Sequence, residues 1–372
     1  GPNVYARLLD LYRKADERYN SGLFHFREEK GRAEDVDHLT PGLAIDDKAL
    51  KEIIRNLYYP DSPYELSVLP ADILGQVYEQ FLGKVIRLTA GHQAKVEDKP
   101  EVKKAGGVFY TPTYIVEYIV RNTVGRLLEG KTPNEAAKLN ILDPACGSGS
   151  FLIGAYQRLL DWHRDWYVDN GKEKWAKGKE PALYQGPEGE WRLTTAKRKE
   201  ILLNNIYGVD IDPQAVEVTK LSLLLKVLEG ESDQSLTSQF ILFHQRALPD
   251  LGSNIKCGNS LIGSDFYRNQ QLSFMDEEER LRINVFDWDK EFPKIFSSPA
   301  PGFDAVIGNP PYVRQESLGK QKDYLKIHYA SFDGVADLYV YFLEKGVRLL
   351  REGGILGFIV SSSFLRTRFA AP

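Results

Sequence analysis

The chain of 372 residues is long enough for one large folded domain and an accessory one, and its 42% hydrophobic content excludes a largely disordered protein. Its 48 Lys and Arg residues against 52 Asp and Glu give a formal net charge of -4, so any contact with a polyanion has to come from local basic patches. Two cysteines cannot form a disulfide framework, and no long apolar run or signal-like N-terminus is present, so we expect a soluble, cytoplasmic protein without a membrane partner.

The first part of the chain, up to about residue 86, has a mostly helical pattern. In the stretch 71–86 (ADILGQVYEQFLGKVI) the apolar residues recur three and four positions apart, as one buried helix face requires. The stretch 89–107 that follows is polar, rich in lysine and ends in two glycines, which favours a linker or mobile loop. We therefore expect a helical N-terminal domain over residues 1–100 and a second domain over residues 105–372.

In the second domain, strands alternate with helices. Three short apolar runs lead into unusual turns, at 143–151 (DPACGSGSF), 208–213 (GVDIDP) and 308–312 (GNPPY), and a fourth run, 353–360 (GGILGFIV), follows a helix. Such alternation predicts an α/β, doubly wound and mostly parallel sheet with ligands at the carboxyl ends of its strands. The stretch 162–200, rich in Trp, Lys and Gly, predicts a surface insertion with a hairpin near residues 186–189.

The first of these turns combines an acid with two glycines. Gly147 and Gly149 allow a tight turn and a close ligand, and the helix that follows offers unpaired N–H groups. The turn lacks the Lys-Ser/Thr pair of a phosphate loop and the spacing of a G-x-G-x-x-G fingerprint. Asp143 is unsuited to a pyrophosphate but suited to a cationic ligand, unless the segment is only a tight turn.

Polar side chains also follow the next two strands. Asp210 stands where carboxylates commonly receive ribose hydroxyls, whereas Asp212, before Pro213, is more readily explained as a helix N-cap. Asn259 lies on a short loop after a third strand and, by itself, is more often a turn residue than a ligand. We therefore expect Asp210 to be the functional carboxylate of this part of the chain.

The stretch Asn309-Pro310-Pro311-Tyr312 has to end the strand before it. Proline lacks the N–H of a sheet ladder and fixes its φ angle, so this sequence cannot continue a central strand. Taken alone, the stretch could be no more than a stiff turn with an aromatic ring attached.

Together these segments resemble the class I S-adenosylmethionine-dependent methyltransferases, and among them the amino-type DNA adenine-N6 methyltransferases. The resemblance runs from about residue 107 to 364, in a γ-like order with motif X ahead of motif I. The motifs are VFYTPTYIVEYIV (108–120, X), DPACGSGSF (143–151, I), GVDIDP (208–213, II), CGNSL (257–261, III), GNPPY (308–312, IV), DLYVYF (337–342, V) and GGILGFIV (353–360, VI). The chain looks most like the methyltransferase core of type IIG restriction-modification enzymes and related phage-defence methyltransferases, which implies a Rossmann-like fold behind a helical N-terminal domain.

The resemblance implies a role for each residue of the proline-rich turn. The side-chain oxygen of Asn309 and the main-chain carbonyl of Pro310 would accept hydrogen bonds from the exocyclic N6 of adenine. Such bonds would draw that nitrogen toward tetrahedral geometry and free its lone pair. Tyr312 would stack on the adenine, which has to leave the duplex to be reached.

The resemblance also implies S-adenosyl-L-methionine as the cofactor, and no His/Cys cluster suggests a metal. Thr111 and Pro112 would meet its methionine carboxylate, although the pair could also be a helix N-cap with proline at the first helical position. The remaining contacts would be to the amino acid portion (Asp143, Ala145, Gly147), the ribose (Asp210) and the adenine (Ile211, Asn259, Pro311). The family often has Asp where this chain has Asn259.

The partners that the resemblance implies are double-stranded DNA with a flipped adenine and a nuclease and target-recognition domain, fused or separate, in a bacterial or archaeal cytoplasm. Two basic groups could meet DNA phosphates, and the tryptophans of the insertion could wedge against DNA, although local packing is the favoured interpretation. These residues are Arg314, Lys320, Lys322 and Lys326; Lys197, Arg198 and Lys199; and Trp166, Trp175 and Trp191. We find no nuclease signature, motif VIII or recognition domain in the chain, and expect it to bind the cofactor but to methylate DNA weakly or not at all.

Other functions share the Asn-Pro-Pro-Tyr sequence. It also occurs in methyltransferases that act on a glutamine of release factors or on guanine N2 of ribosomal RNA, because each target is a planar amide or amine. Cytosine-N4 enzymes typically have Ser where Asn309 stands. From a different class, the chain could be a catalytically silent cofactor-binding scaffold of a defence complex. The position of motif X, the insertion and the helical N-terminal region favour adenine in DNA.

Overall fold

The computed structural model describes most of the chain from residue 111 onward and parts of the chain before it. The described residues are 3–19, 26, 37–58, 60–62, 84–89, 91, 93–98, 111–186, 188–230, 248–267, 280, 282–313, 318–319, 321–334 and 336–362. The strands are β1 (Lys84–Leu88), β2 (Ala94–Asp98), β3 (Ile141–Asp143), β4 (Leu183–Gln185), β5 (Trp191–Leu193), β6 (Ile206–Asp210), β7 (Ile255–Cys257), β8 (Phe303–Gly308) and β9 (Leu350–Phe358).

Helices precede and follow these strands. They are α1 (Val4–Tyr19), α2 (Asp47–Asn56), α3 (Thr113–Val120), α4 (Arg126–Leu128), α5 (Pro133–Ala136), α6 (Ser150–Asp169), α7 (Lys172–Trp175), α8 (Thr195–Asn205), α9 (Pro213–Leu228), α10 (Trp288–Glu291), α11 (Pro293–Phe296), α12 (Gln321–His328) and α13 (Leu338–Leu349). A π-helical segment, Arg121–Gly125, joins α3 to α4, and 3-10 turns lie at Thr40–Gly42 and Ser264–Tyr267. Among these described helices, none combines the length and apolar character needed to cross a membrane.

The core of the fold is a five-stranded sheet with the order β7-β6-β3-β8-β9. Every neighbouring pair in it is parallel. From β3 the chain winds outward to β6 and β7, then returns to the other side of β3 to form β8 and β9. The strand order therefore reverses between β3 and β8, and such a switch point opens a crevice at the carboxyl ends of the strands. This is the Rossmann-like class I methyltransferase fold that the sequence predicts.

Both faces of the sheet are covered, as in other parallel sheets. Because successive side chains of a strand point to opposite faces, neighbouring residues belong to different cores. Ile141 and Ile307 join the apolar residues of α6, α8 and α9 on one face, whereas Leu142 and Val306 pack with Trp288 and its aromatic neighbours on the other. Since all six residues of β8 are buried, the strand that delivers the proline-rich turn is held from both sides.

The segment around residue 90 differs from the prediction. A helix is predicted over 71–86, but its last three residues, 84–86, belong to strand β1 (Lys84–Leu88). Residues 71–83 lie outside the described part of the chain. The predicted linker contains β2, which pairs antiparallel with β1 in a register that sets Ile86 opposite Val96. The β-branched residues Val85, Ile86 and Val96 favour such a hairpin over a mobile loop. The domain boundary near residue 100 stays a prediction.

The hairpin predicted in the insertion is confirmed. Strands β4 and β5 pair antiparallel, and Gln185 opposite Trp191 closes the turn at 186–190. The insertion's tryptophans pack locally, as favoured: the Trp166 and Trp175 rings lie 5.9 Å apart, and Lys172 Nζ lies 5.9 Å from the centre of the Trp191 ring.

Candidate active site

The candidate site lies at the carboxyl ends of β3, β6 and β8, where the strand order reverses. Asp143 ends β3, Asp210 ends β6 and Gly308 ends β8. The three strand ends are neighbours, so the turns that sequence analysis singled out separately form one continuous surface. The sequence prediction that they meet at one edge of the sheet is confirmed.

Asp143 is a buried acid at the centre of this surface. Its side chain is 1% exposed, and the backbone N–H of Ala145 donates a 3.0 Å hydrogen bond to Oδ1. Burial, together with the neighbouring carboxylate of Asp210, raises the pKa of Asp143 to about 8. Because the low-dielectric surroundings disfavour its negative charge, this carboxyl is suited to pair with a positively charged ligand group.

The raised pKa of Asp143 predicts a pH-dependent stability. A carboxyl whose pKa is higher in the folded chain than in the unfolded chain costs stability once the pH exceeds its unfolded value, and the cost grows until the pH passes the folded value. For Asp143 that window runs from 3.8 to about 8. Asp143→Asn keeps an oxygen that can accept from Ala145, so we expect it to raise the melting temperature of the ligand-free protein, and more at pH 8 than at pH 5.

Thermal melts of wild type and Asp143→Asn at the two pH values measure this effect. Asp169→Asn, the same substitution at the exposed end of α6, controls for the loss of one negative charge. A gain in melting temperature that is the same at both pH values would show that burial of the Asp143 charge is not its cause.

The glycine turn after β3 has a backbone that only glycine adopts easily. Gly147 and Gly149 have φ angles of 53° and 87°, in the left-handed region. A Cβ on Gly149 would lie 2.9 Å from Thr219 Cγ2, and Thr219 Oγ1 donates a 2.8 Å hydrogen bond to the carbonyl of Gly147. Thr219, on α9, thus holds the glycine turn by a hydrogen bond and a close packing contact. Sequence analysis missed this residue, because a single Thr in an apolar helix carries no local signal.

Asp210 connects the second strand end to the glycine turn. Its Oδ2 accepts a 2.8 Å hydrogen bond from the Gly147 N–H, and its Oδ1 accepts one of 2.9 Å from the Asp212 N–H. Burial raises the pKa of Asp210. Asp212 is the N-cap of α9, with Pro213 at the first helical position, so that prediction is confirmed. Ile211 is 47% exposed and presents an apolar surface beside the carboxylate.

Asn259 is held by the backbone around it. The residue is 8% exposed, its Nδ2 donates to the carbonyl of Ile283, and its Oδ1 accepts from the Leu261 N–H. Each atom keeps capacity for one further hydrogen bond, so a ligand contact stays a prediction. Next to it, Asn284 Nδ2 lies 3.4 Å from the carbonyl of Ile211; this neighbour was not identified from the sequence.

The proline-rich turn leaves β8 directly beside Asp143. Gly308 has a φ of 153°, and a Cβ on it would lie 2.6 Å from Asp143 Oδ1. Pro310 is buried, and Asn309, Pro311 and Tyr312 are partly buried. The turn thus begins in close contact with the end of β3, and its two prolines and the packing around it restrict the directions of its side chains.

Tyr312 is held by a hydrogen bond from its hydroxyl and by a contact between its ring and a second tyrosine. Its hydroxyl donates a 3.0 Å hydrogen bond to the carbonyl of Ile359, just beyond β9. Its ring centre lies 5.3 Å from that of Tyr339, at an interplanar angle of 43°. Burial raises the pKa of the Tyr312 phenol, so the hydroxyl stays protonated and donating at neutral pH.

Asn309 has one satisfied and one unsatisfied side-chain atom. Its Nδ2 donates a 3.2 Å hydrogen bond to Oγ1 of Thr111, whereas its Oδ1 is buried without a hydrogen-bond partner among the described residues. Buried oxygens normally have a partner, so an unsatisfied one at a strand-end crevice marks a position where a ligand N–H would be stabilised.

The contact with Thr111 corrects one prediction. Helix α3 begins at Thr113 with Pro112 in the N-cap position and without a side-chain cap, so Thr111 is not the N-cap and Pro112 is not the first helical residue. The Thr111 side chain is 7% exposed and turns inward to Asn309. Its partner is 198 positions away in the chain, so local sequence rules could offer only the capping role beside the cofactor contact that the resemblance implies.

The fold uses the two basic groups expected near DNA phosphates in different ways. Arg314 and Lys320 lie outside the described residues, while Lys322 and Lys326 lie on α12. The other group is engaged within the fold. Lys197 pairs with Glu200, Arg198 donates to the carbonyls of Val227 and Glu229 at the end of α9, and burial lowers the pKa of Lys199. Arg198 is therefore a helix C-cap contact in this structure.

Comparison with known proteins gives two family matches. Residues 204–371 match the Eco57I restriction-modification methylase family, and residues 70–245 match the N-6 DNA methylase family. The matches overlap on β6 and α9 and together include every strand of the parallel sheet.

Several curated proteins are similar to the chain. The type II restriction enzyme and methyltransferase RM.Eco57I of Escherichia coli is 34% identical over 97% of this chain and 33% of its own length. The type II methyltransferase M.BstVI of Geobacillus stearothermophilus is 46% identical over 71% of the chain and 35% of its own length. The adenine-specific methyltransferase BrxX of Escherichia coli O9:H4 (strain HS) is 24% identical over 87% and 32%, respectively. The chain thus spans about a third of the length of these relatives.

Proposed function

Because the chain belongs to the N6-adenine DNA methyltransferase families, which include the Eco57I restriction-modification methylases, we propose that it transfers a methyl group from S-adenosyl-L-methionine to N6 of adenine in DNA. It would do so within a restriction-modification or phage-defence system. The observation that supports this proposal most directly is the buried, unsatisfied Oδ1 of Asn309, beside the acid of the first strand end.

Adenine N6 is a poor nucleophile, because its lone pair is delocalised into the ring. Two hydrogen-bond acceptors, one for each N–H bond, would pull the nitrogen toward tetrahedral geometry and localise the lone pair. We assign these acceptors to Oδ1 of Asn309 and the main-chain carbonyl of Pro310. Both directions are set by the proline-rich turn, and preorganised acceptors need no rearrangement during the reaction.

The target base would be held by Tyr312. An adenine inside a duplex is out of reach, so it has to be flipped out of the stack and received by an aromatic face. The hydrogen bond from Tyr312 to Ile359 and the contact with Tyr339 fix the plane of the ring before a base arrives. A fixed ring loses little conformational freedom on binding, which strengthens stacking.

The residues of the crevice fit S-adenosyl-L-methionine. The buried acid Asp143 suits its ammonium group, the left-handed Gly147 turn allows close approach, and the exposed Ile211 offers an apolar face for adenine. Asp210 would take the ribose hydroxyls with the free lone pairs of its oxygens, and Thr111 the methionine carboxylate. When bound, this cofactor supplies an electrophilic methyl group on a positively charged sulfur.

The proposal predicts that the natural gene for this chain, expressed in a host without DNA methylation, introduces N6-methyladenine at one sequence context. DNA digested to nucleosides and analysed by mass spectrometry detects the product, and modification-sensitive sequencing locates it. N4-methylcytosine instead would indicate the cytosine enzymes, and methylated release factor or ribosomal RNA would indicate the other Asn-Pro-Pro-Tyr enzymes. Cofactor binding by calorimetry without any methylated product would support the silent scaffold.

A further inference from the structure

We infer that Thr111 is a positioning residue for methyl transfer: its hydroxyl fixes the orientation of the Asn309 amide, so that Oδ1 and not Nδ2 faces the target amino group. This inference rests on the proposed function and assigns a task to a contact between two distant parts of the chain. The contact is the 3.2 Å hydrogen bond from Asn309 Nδ2 to Thr111 Oγ1.

An asparagine amide needs such a partner to act as an acceptor. Its oxygen and nitrogen are nearly the same size, so a half-turn of the amide replaces an acceptor with a donor without a steric cost. A flipped Asn309 would present an NH2 group to the NH2 group of adenine, and two donors repel. The described residues give Oδ1 no hydrogen bond that would hold it in place, so the orientation depends on what holds Nδ2.

The Thr111 hydroxyl can select one of the two orientations of the Asn309 amide, depending on where its hydrogen is donated. A threonine hydroxyl has one hydrogen to donate and two lone pairs to accept with, so by itself it could also donate to a flipped Oδ1. If its hydrogen is donated to an anionic group, only its accepting capacity remains, and Asn309 has to offer Nδ2. The methionine carboxylate proposed to lie at Thr111 is such a group.

The geometry couples cofactor binding to acceptor alignment. Thr111 is 7% exposed, so water competes poorly for its hydroxyl, and the hydrogen bond to Asn309 lies partly buried. A carboxylate bound at Thr111 would therefore set the Asn309 amide through one hydroxyl group. Occupancy of the cofactor site would align the acceptor that the second substrate needs.

Three variants test this role. Thr111→Val has nearly the same shape without the hydroxyl, and Thr111→Ser keeps the hydroxyl. Asn309→Asp replaces the amide with a carboxylate, whose two oxygens both accept, so no orientation has to be selected. In the product of the natural gene, at saturating cofactor and DNA, we expect Thr111→Val to lower the single-turnover methylation rate about tenfold and Thr111→Ser to restore most of it. In the Asn309→Asp background, Thr111→Val should lower the rate less than about threefold.

A second measurement does not depend on activity. In protein labelled with 15N at asparagine, the side-chain NH2 signal of Asn309 is identified by its absence in Asn309→Asp. Adding S-adenosyl-L-methionine should slow the exchange of this signal with solvent in wild type and Thr111→Ser, and leave its exchange rate unchanged in Thr111→Val. Calorimetry and thermal melts show separately whether Thr111→Val still binds the cofactor and folds.

The outcomes separate this inference from the proposed function. Equal losses from Thr111→Val in both backgrounds, or no rescue by Thr111→Ser, would overturn the orienting role while leaving DNA methylation in place. Solvent exchange of the Asn309 signal that slows equally in wild type and Thr111→Val on adding the cofactor would also overturn the orienting role. If the product of the natural gene methylates no adenine, the proposed function fails, and the NMR measurement still decides whether Thr111 holds the Asn309 amide.

Discussion

Asn309→Ala is expected to lower the methylation rate about 10²–10³-fold, the effect typical of removing one preorganised hydrogen-bond partner from a reaction centre. The substitution deletes the unsatisfied Oδ1, and with it one of the two acceptors for adenine N6. It also removes one hydrogen bond, to Thr111, so the fold should lose little stability. Single-turnover methylation of DNA at saturating cofactor measures the loss, and calorimetry should show cofactor binding close to that of wild type.

Asn170→Ala is the matched control for this experiment. Asn170 is an exposed asparagine at the end of α6 whose Nδ2 donates to a backbone carbonyl, so the same atoms are removed far from the strand ends. We expect its methylation rate to equal that of wild type. Undiminished N6-methyladenine in Asn309→Ala would remove Asn309 from the reaction and leave the assignment of the acceptors without support.

Gly308→Ala is expected to destabilise the protein by about 3 kcal/mol or more and to abolish cofactor binding. A Cβ at this position would lie 2.6 Å from Asp143 Oδ1, and the φ of 153° is one that L side chains rarely adopt. Overpacking in a tight interior costs about 1–3 kcal/mol, and a strained backbone conformation adds a similar amount. Relief would require Asp143 to move, and Asp143 is the carboxyl proposed to hold the cofactor's amino group.

Thermal or denaturant unfolding measures the stability of Gly308→Ala, and calorimetry measures its cofactor binding. Gly334→Ala is the control, since a Cβ on Gly334 meets nothing within 4 Å. The control should unfold and bind like wild type. A Gly308→Ala protein with the melting temperature and cofactor affinity of wild type would mean that Asp143 and the proline-rich turn are not in tight contact.

The strand ends were the part of the fold that the sequence predicted best. The apolar runs stop at Asp143, Asp210 and Gly308, and such strand ends can be predicted from the residues there, because glycine, proline and acidic residues disfavour continuation of a strand. The hairpin of β1 and β2 was missed for a local reason too: the three- and four-residue apolar spacing continues into Lys84–Leu88, so helical periodicity masked the strand.

The site contacts that sequence analysis missed join distant segments of the chain. Thr219 supports the glycine turn from 72 positions away, and Thr111 meets Asn309 from 198 positions away. No window of local sequence contains both partners of such a contact. The identity of the crevice residues could therefore be predicted from motifs, whereas the hydrogen bonds that position them required the fold.

The packing of Gly308, which begins the proline-rich turn, against Asp143 at the end of β3 has a consequence for DNA binding. The turn is packed by the chain's own residues, since Pro310 is buried and Gly308 lies against Asp143, so the conformational entropy of ordering it is lost when the protein folds. Under the proposed function, the free energy of DNA binding can then go into unstacking and unpairing one base, which takes a few kcal/mol. The two acceptors would then need no rearrangement when the base arrives, and extraction of the base, rather than ordering of the site, would consume the free energy of DNA binding.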